Sequence, residues 1–258
     1  MTLLNWNTVV AIGLLLRLLI STNGNNFDLE SWKLVADAIL RGENYWIATN
    51  RWQYGPVVPP FLGAARSISN TFSSTVNFHF CVVFFLCFVD LTIALLLKRR
   101  FGESAGKLFL LNPGGILLTG YHSQIDNIAI LFAFMSMLTL ERVKQNTSPT
   151  LILSALLFSL SILSKHILFA LPMWVLFARA RLSWRQMALW CATAGIGVTA
   201  VLVPSVMHAD IWNGFRDNVL YYNPTTVLQA NSPLAGISQI FESFFGGKIA
   251  LTKKDSLR

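Results

Sequence analysis

The chain has 258 residues, 54% of them hydrophobic and only 12% charged, with a formal net charge of +8. A soluble globular domain carries about 25% charged residues, so this composition, with a mean hydropathy of +0.55, excludes an ordinary soluble enzyme and predicts an integral membrane protein. No basic stretch is interleaved with aromatics, which argues against a nucleic-acid partner; the excess of Lys and Arg is expected to set orientation in the bilayer.

A helix needs about 20 mostly apolar residues to cross a membrane, with roughly 17 as the lower limit. Seven segments approach that length: 3–20, 76–97, 104–120, 125–141, 149–164, 166–179 and 187–207. The expected fold is all-α, a polytopic transmembrane helix bundle of about seven segments forming a single domain over 1–258. The first segment carries Arg17 late and lacks both a basic start and a small-residue cleavage site, so it is read as a membrane helix and not as a signal peptide. Cys81, Cys87 and Cys191 all fall in apolar runs without metal-ligand spacing.

Basic clusters follow the second segment (Lys98, Arg99, Arg100), the fourth (Arg142, Lys144) and the sixth (Arg179, Arg181, Arg185). Alternation puts all three on one side, which the positive-inside rule makes cytoplasmic, together with the N-terminus. The outer side then receives a first loop over 21–75, the 121–125 connector, the Lys165–His166 junction and the segment 208–258. Asn146-Thr147-Ser148 is a glycosylation sequon on the expected cytoplasmic side and is expected to be unused.

Within the first loop, Leu29, Trp32, Ala36, Ile39 and Leu40 recur at helical spacing over Asp28–Arg41. They predict a helix lying along the membrane surface, with Trp32 at headgroup depth. A second short helix is expected from Pro59 to Ile68. The aromatic link NYWIATNRWQYGPVVPP between them suits the interface.

Four stretches carry groups suited to chemistry. In NNFDLESW, Asp28 is either the N-cap of the surface helix or, with Glu30, a carboxylate able to act as a base or hold a divalent cation. In TGYHSQIDN, Ser123-x-x-Asp126 matches a capping box, while Tyr121, His122 and Gln124 remain unexplained by capping. In LSKHILFALP, Lys165 and His166 either snorkel to the interface or form a cationic pair for a phosphate. In RWQYGP, Arg51 and Tyr54 are interface anchors or ligands; Arg216 and Asp217, near Tyr221 and Tyr222, are weaker signals.

The acidic DLE motif, then ADAILRGENYW and QYGPVVP, resembles the first loop of GT-C superfamily glycosyltransferases that use polyprenyl-phosphate sugars, above all GPI mannosyltransferase I-like proteins and bacterial relatives. LNPGGILLTGYHSQIDNIAILF is similar to their N-P…G-x-x-x-Q-F-D segment, and LSKHILFALP to their lysine–proline segment; the likeness spans roughly residues 25–175. It implies an inverting hexosyltransferase (mannose or glucose type) of a bacterial cytoplasmic membrane, with its site on the outer side. Asp28 would be the base. Glu30, Arg51, Tyr54, His122, Gln124, Asp126, Lys165 and His166 would bind substrate, with Lys165, His166 and Arg51 on the phosphate and Gln124 and Asp126 on the sugar. The implied partners are a polyprenyl-phosphate sugar donor, a lipid or glycan acceptor and membrane lipids; no cofactor is implied. Asp28-x-Glu30 stands where relatives carry Asp-x-Asp, which weakens the case for a divalent metal. The chain is also shorter than the family's usual length, so 208–258 is expected to end an incomplete member. The alternatives are a small-molecule or lipid transporter and a non-catalytic membrane subunit.

Overall fold

The computed structural model describes residues 4–22, 26–72, 77–142, 148–165 and 182–220. The described residues contain helices and no strand. The helices are α1 (Trp6–Ile20), α2 (Phe27–Leu40), α3 (Tyr45–Ala48), α4 (Pro59–Thr71), α5 (Phe78–Phe101) and α6 (Glu103–Leu111). They continue with α7 (Pro113–Gly120), α8 (Asp126–Leu140), α9 (Ser148–Ser164), α10 (Trp184–Val206), α11 (Ala209–Phe215) and a π-helical turn over Arg216–Leu220. The all-α expectation therefore holds for these residues. His166, the apolar segment 166–179, Lys144, Arg179, Arg181 and 221–258 lie outside them.

Two of these helices, α5 and α10, are long and apolar enough to cross a membrane; α1, α8 and α9 are apolar but shorter. Side-chain caps set several starts: Asn5 accepts the Thr8 N–H at 2.8 Å, Asn77 accepts that of Phe80 at 2.6 Å, and Ser183 and Gln186 form a reciprocal capping box on α10. The expected third segment is broken in two. Pro113 has no N–H to continue α6, and Asn112 turns to cap α7 by accepting the Gly114 N–H at 2.9 Å.

Helices approach closely where side chains are small. A Cβ on Gly13 would stand 2.9 Å from the Leu110 carbonyl, and one on Gly106 would stand 2.7 Å from that of Ala94. Buried hydroxyls join α8, α9 and α10. Ser136 and Ser154 each donate to the other's carbonyl, Trp190 Nε1 donates to Ser154 Oγ at 3.0 Å, and Ser159 donates to the Ala194 carbonyl at 2.9 Å. At one junction the ends of α5 and α8 meet through Arg100–Glu141 at 2.9 Å, and Lys98 lies 4.2 Å over the Trp6 ring near the start of α1.

The first loop differs from expectation in which face it buries. Its two helices form where the pattern puts them, but Trp32 is buried, with Leu29, Val35 and Ala36, in a core shared with Leu62, Val82, Leu86 and Ile125. The apolar stripe of α2 thus packs on protein, leaving Phe27, Leu34 and Leu40 outward. Trp46 and Trp52, in the link expected to suit the interface, are also core residues, within a cluster of mostly edge-to-face rings that includes Trp32, Tyr45, Tyr54 and Phe215. Six aromatics this close satisfy one another's faces better than headgroups would.

Candidate functional site

The N-terminus of α2 docks on the 121–125 connector. Asn26, and not Asp28, is the N-cap: its side-chain Oδ1 accepts the Leu29 N–H at 3.2 Å. Asp28 is left in the first turn, where the helix dipole favours a carboxylate. Its Oδ2 accepts from Gln124 Nε2 at 2.6 Å and from Asn26 Nδ2 at 3.3 Å. The Asn26 amide also lies 2.7 Å from His122 Nδ1. An amide donor there assigns the proton of a neutral His122 ring to Nε2.

The expected capping box at Ser123 is not formed. Ile125 is the N-cap of α8 and has no side-chain cap. Ser123 sits at φ +53°, buried, with its Oγ lacking a partner among the described residues. Its carbonyl instead accepts from Trp32 Nε1 at 3.2 Å. A left-handed non-glycine residue persists where its surroundings hold it, and here the loop on both sides of it is hydrogen-bonded to α2.

Asp126, freed from capping, pairs with Lys165 at the end of α9. The Lys165 ammonium also lies 4.9 Å over the Tyr54 ring. Tyr54 packs on Trp32 at 5.6 Å between centroids, so one aromatic contact links the Asp28 group to the Lys165 group. RWQYGP reaches α9 by direct backbone approach. Val57 N–H donates to the Leu163 carbonyl at 3.4 Å, and a Cβ on Gly55 would fall 1.9 Å from that oxygen.

Arg51 stands beside the start of α2. Its guanidinium covers the Phe27 ring at 3.6 Å and donates to the Phe27 carbonyl at 3.0 Å, while its Nε is buried without a partner among the described residues. Burial pulls this guanidinium below its ordinary value, against the opposing charges of Glu30 and Asp28. Glu30 itself is exposed. The structure thus gathers Asp28, Arg51, Tyr54, His122, Gln124, Asp126 and Lys165 and leaves Glu30 at the edge; His166 is outside the described residues. No group of three His, Cys, Asp or Glu able to hold a metal occurs among the described residues.

A second polar group lies deeper and was not assigned from the sequence. Asp90 of α5 and Arg17 of α1 are fully buried and paired at 2.7 Å. Asp90 also accepts from Thr119 Oγ1 at 2.8 Å and from Asn127 Nδ2 at 2.6 Å, and Arg17 donates to the Gly13 and Leu110 carbonyls, each at 2.8 Å. The available signal was two lone, oppositely charged residues inside apolar segments, which are costly unless paired.

The segment after α10 packs on the first loop: Asn218 Nδ2 donates to the Trp46 and Thr49 carbonyls, each at 3.0 Å. The first loop, the 121–125 connector, Lys165 and the start of the C-terminal segment therefore meet one another. Comparison of the chain with protein-family models, with curated proteins and with solved structures finds no match.

Proposed function

We propose that the chain is a multi-pass membrane hexosyltransferase that moves a sugar from a polyprenyl-phosphate donor to an acceptor hydroxyl on the non-cytoplasmic side. The observation that carries this reading is the Asp28 carboxylate held by Gln124 from a different part of the chain. A candidate base oriented in this way, near the Arg51 guanidinium and linked through Tyr54 and Trp32 to Lys165, suits transfer from a phosphate leaving group.

In this mechanism Asp28 takes the proton of the acceptor hydroxyl as its oxygen attacks C1 of the sugar. The C1–O bond to phosphate breaks with its electron pair staying on phosphate, and the configuration at C1 inverts. Arg51 and Lys165, with His166, neutralise the leaving phosphate. Lys165 would exchange the Asp126 carboxylate for the phosphate, and Asp126 and Gln124 would then face the sugar. Glu30 contributes charge at the rim. The chemistry described needs no metal.

The test is transfer of labelled sugar from polyprenyl phosphate in membranes containing the wild-type chain or Asp28→Asn at equal insertion. Transfer lost in the variant alone supports the proposal; equal transfer in both removes Asp28 from the mechanism. A transporter is favoured by one observation, the Arg17–Asp90 pair buried between helices. Substrate flux that depends on that pair, without sugar transfer, would replace the first reading.

A further inference from the structure

Thr119 and Asn127 flank the connector that bears His122, Gln124 and Asp126: Thr119 lies in the last turn of α7 and Asn127 in the first turn of α8. Both donate to the carboxylate of Asp90, Thr119 to Oδ2 and Asn127 to Oδ1. The buried Asp90 side chain therefore bridges the two ends of the loop, which also meet directly through Asn127 Nδ2 donating to Thr119 Oγ1 at 3.3 Å. We infer that Asp90, held by Arg17, is a positioning residue that fixes this loop so that Gln124 meets Asp28 and Asp126 meets Lys165.

Three features support the assignment. Asp90 belongs to α5 and touches neither Asp28 nor Lys165 by any hydrogen bond described, so its action on them runs through the loop. Arg17 Nε adds a third hydrogen bond to the carboxylate, and its Nη1 also takes the Leu110 carbonyl near the end of α6, tying the clamp to the helix that precedes α7. The loop itself holds Ser123 in a left-handed conformation, which a free connector of this length would relax. A clamp at both ends, with Trp32 on the Ser123 carbonyl, supplies the needed constraint.

Calling Asp90 a positioning residue rests on the proposed transferase site, but the test needs no transfer and can fail separately. In a Cys191→Ser background, which removes the exposed native thiol, the pair Asp28→Cys with Gln124→Cys reports the loop by its oxidative cross-linking rate. Arg100→Cys with Glu141→Cys reports the distant α5–α8 junction. Each pair is combined with Thr119→Val and Asn127→Leu, which remove both loop donors and leave Arg17–Asp90 paired, and separately with Thr119→Ser, which keeps its donor. The expected result is a fall of about tenfold at the loop pair, the loosening given by losing both hydrogen bonds to Asp90 and the one between Asn127 and Thr119, with the distant pair unchanged and Thr119→Ser at the parent rate. An unchanged loop rate overturns the inference. An equal fall at both pairs also overturns it, because the network would then support the bundle as a whole.

Discussion

Gln124 donates a 2.6 Å hydrogen bond to Asp28 across 96 positions of sequence. The contact joins the first turn of α2 to the connector before α8, so the placement of the acidic side chain depends on how the loop is held and not on α2 alone. The cap of α2 is left to Asn26. A carboxylate spared from capping is available for chemistry, and its oxygens point where a neighbouring chain segment directs them.

If the chain is the proposed transferase, Gln124→Ala should lower sugar transfer by about ten- to a hundredfold with insertion and melting nearly unchanged, the scale expected when a reacting group is displaced by an ångström. Gln124→Glu should lower it further, because a second carboxylate would face Asp28. Transfer rates for the two variants at equal membrane content give the comparison. The reverse order would mean that Gln124 acts on substrate independently of Asp28.

Helix identity was legible from apolar period and caps, since α2 and α4 begin within a residue of where the pattern places them. What each helix faces was not. Trp32 looked like an interface residue because Trp is amphipathic, yet its indole finds the Ser123 carbonyl inside the protein. The polar knot over 121–127 was recognisable as excessive for a connector, but its partners lie far off in sequence: Asn26, Asp28, Asp90 and Lys165. Local motifs also misled. Ser123-x-x-Asp126 has the spacing of a capping box, but the left-handed backbone at Ser123 and the ion pair of Asp126 take both residues away from that role.

Gly55→Ala should be strongly disruptive. The added carbon would lie 1.9 Å from the Leu163 carbonyl, a backbone atom that cannot rotate aside. The loop must then lift from α9, carrying Tyr54 from Lys165, at a cost of about 1–3 kcal/mol for overpacking. Gly195→Ala, where a Cβ meets nothing within 4 Å, should leave melting unchanged or slightly raised. Thermal melting of the two variants in detergent separates them, and equal effects would show that the contact at Gly55 is not tight.

Asn218→Ala should loosen the first loop without touching the Asp28 contact. It removes two hydrogen bonds to the Trp46 and Thr49 carbonyls and leaves those buried acceptors short of a donor, a loss of about 1–3 kcal/mol. Hydrogen exchange of the amides over 44–50 should accelerate while those over 26–32 stay slow. Uniform acceleration across both stretches would mean that the loop opens as one unit.

Asp126 and Lys165 should prove coupled. Their side chains are 31% and 13% exposed, so water screens the pair only in part. Asp126→Asn and Lys165→Met should each lower stability, and the double variant should cost less than the sum by about 1 kcal/mol, the coupling seen for partly exposed neighbours. The pair also has a direction to test. If Lys165 must leave Asp126 to meet phosphate, Asp126→Asn frees the ammonium and should tighten binding of a polyprenyl-phosphate product while weakening the fold. Product inhibition of transfer, measured beside melting, reads both effects at once. Weaker inhibition in Asp126→Asn would place Lys165 in structure alone.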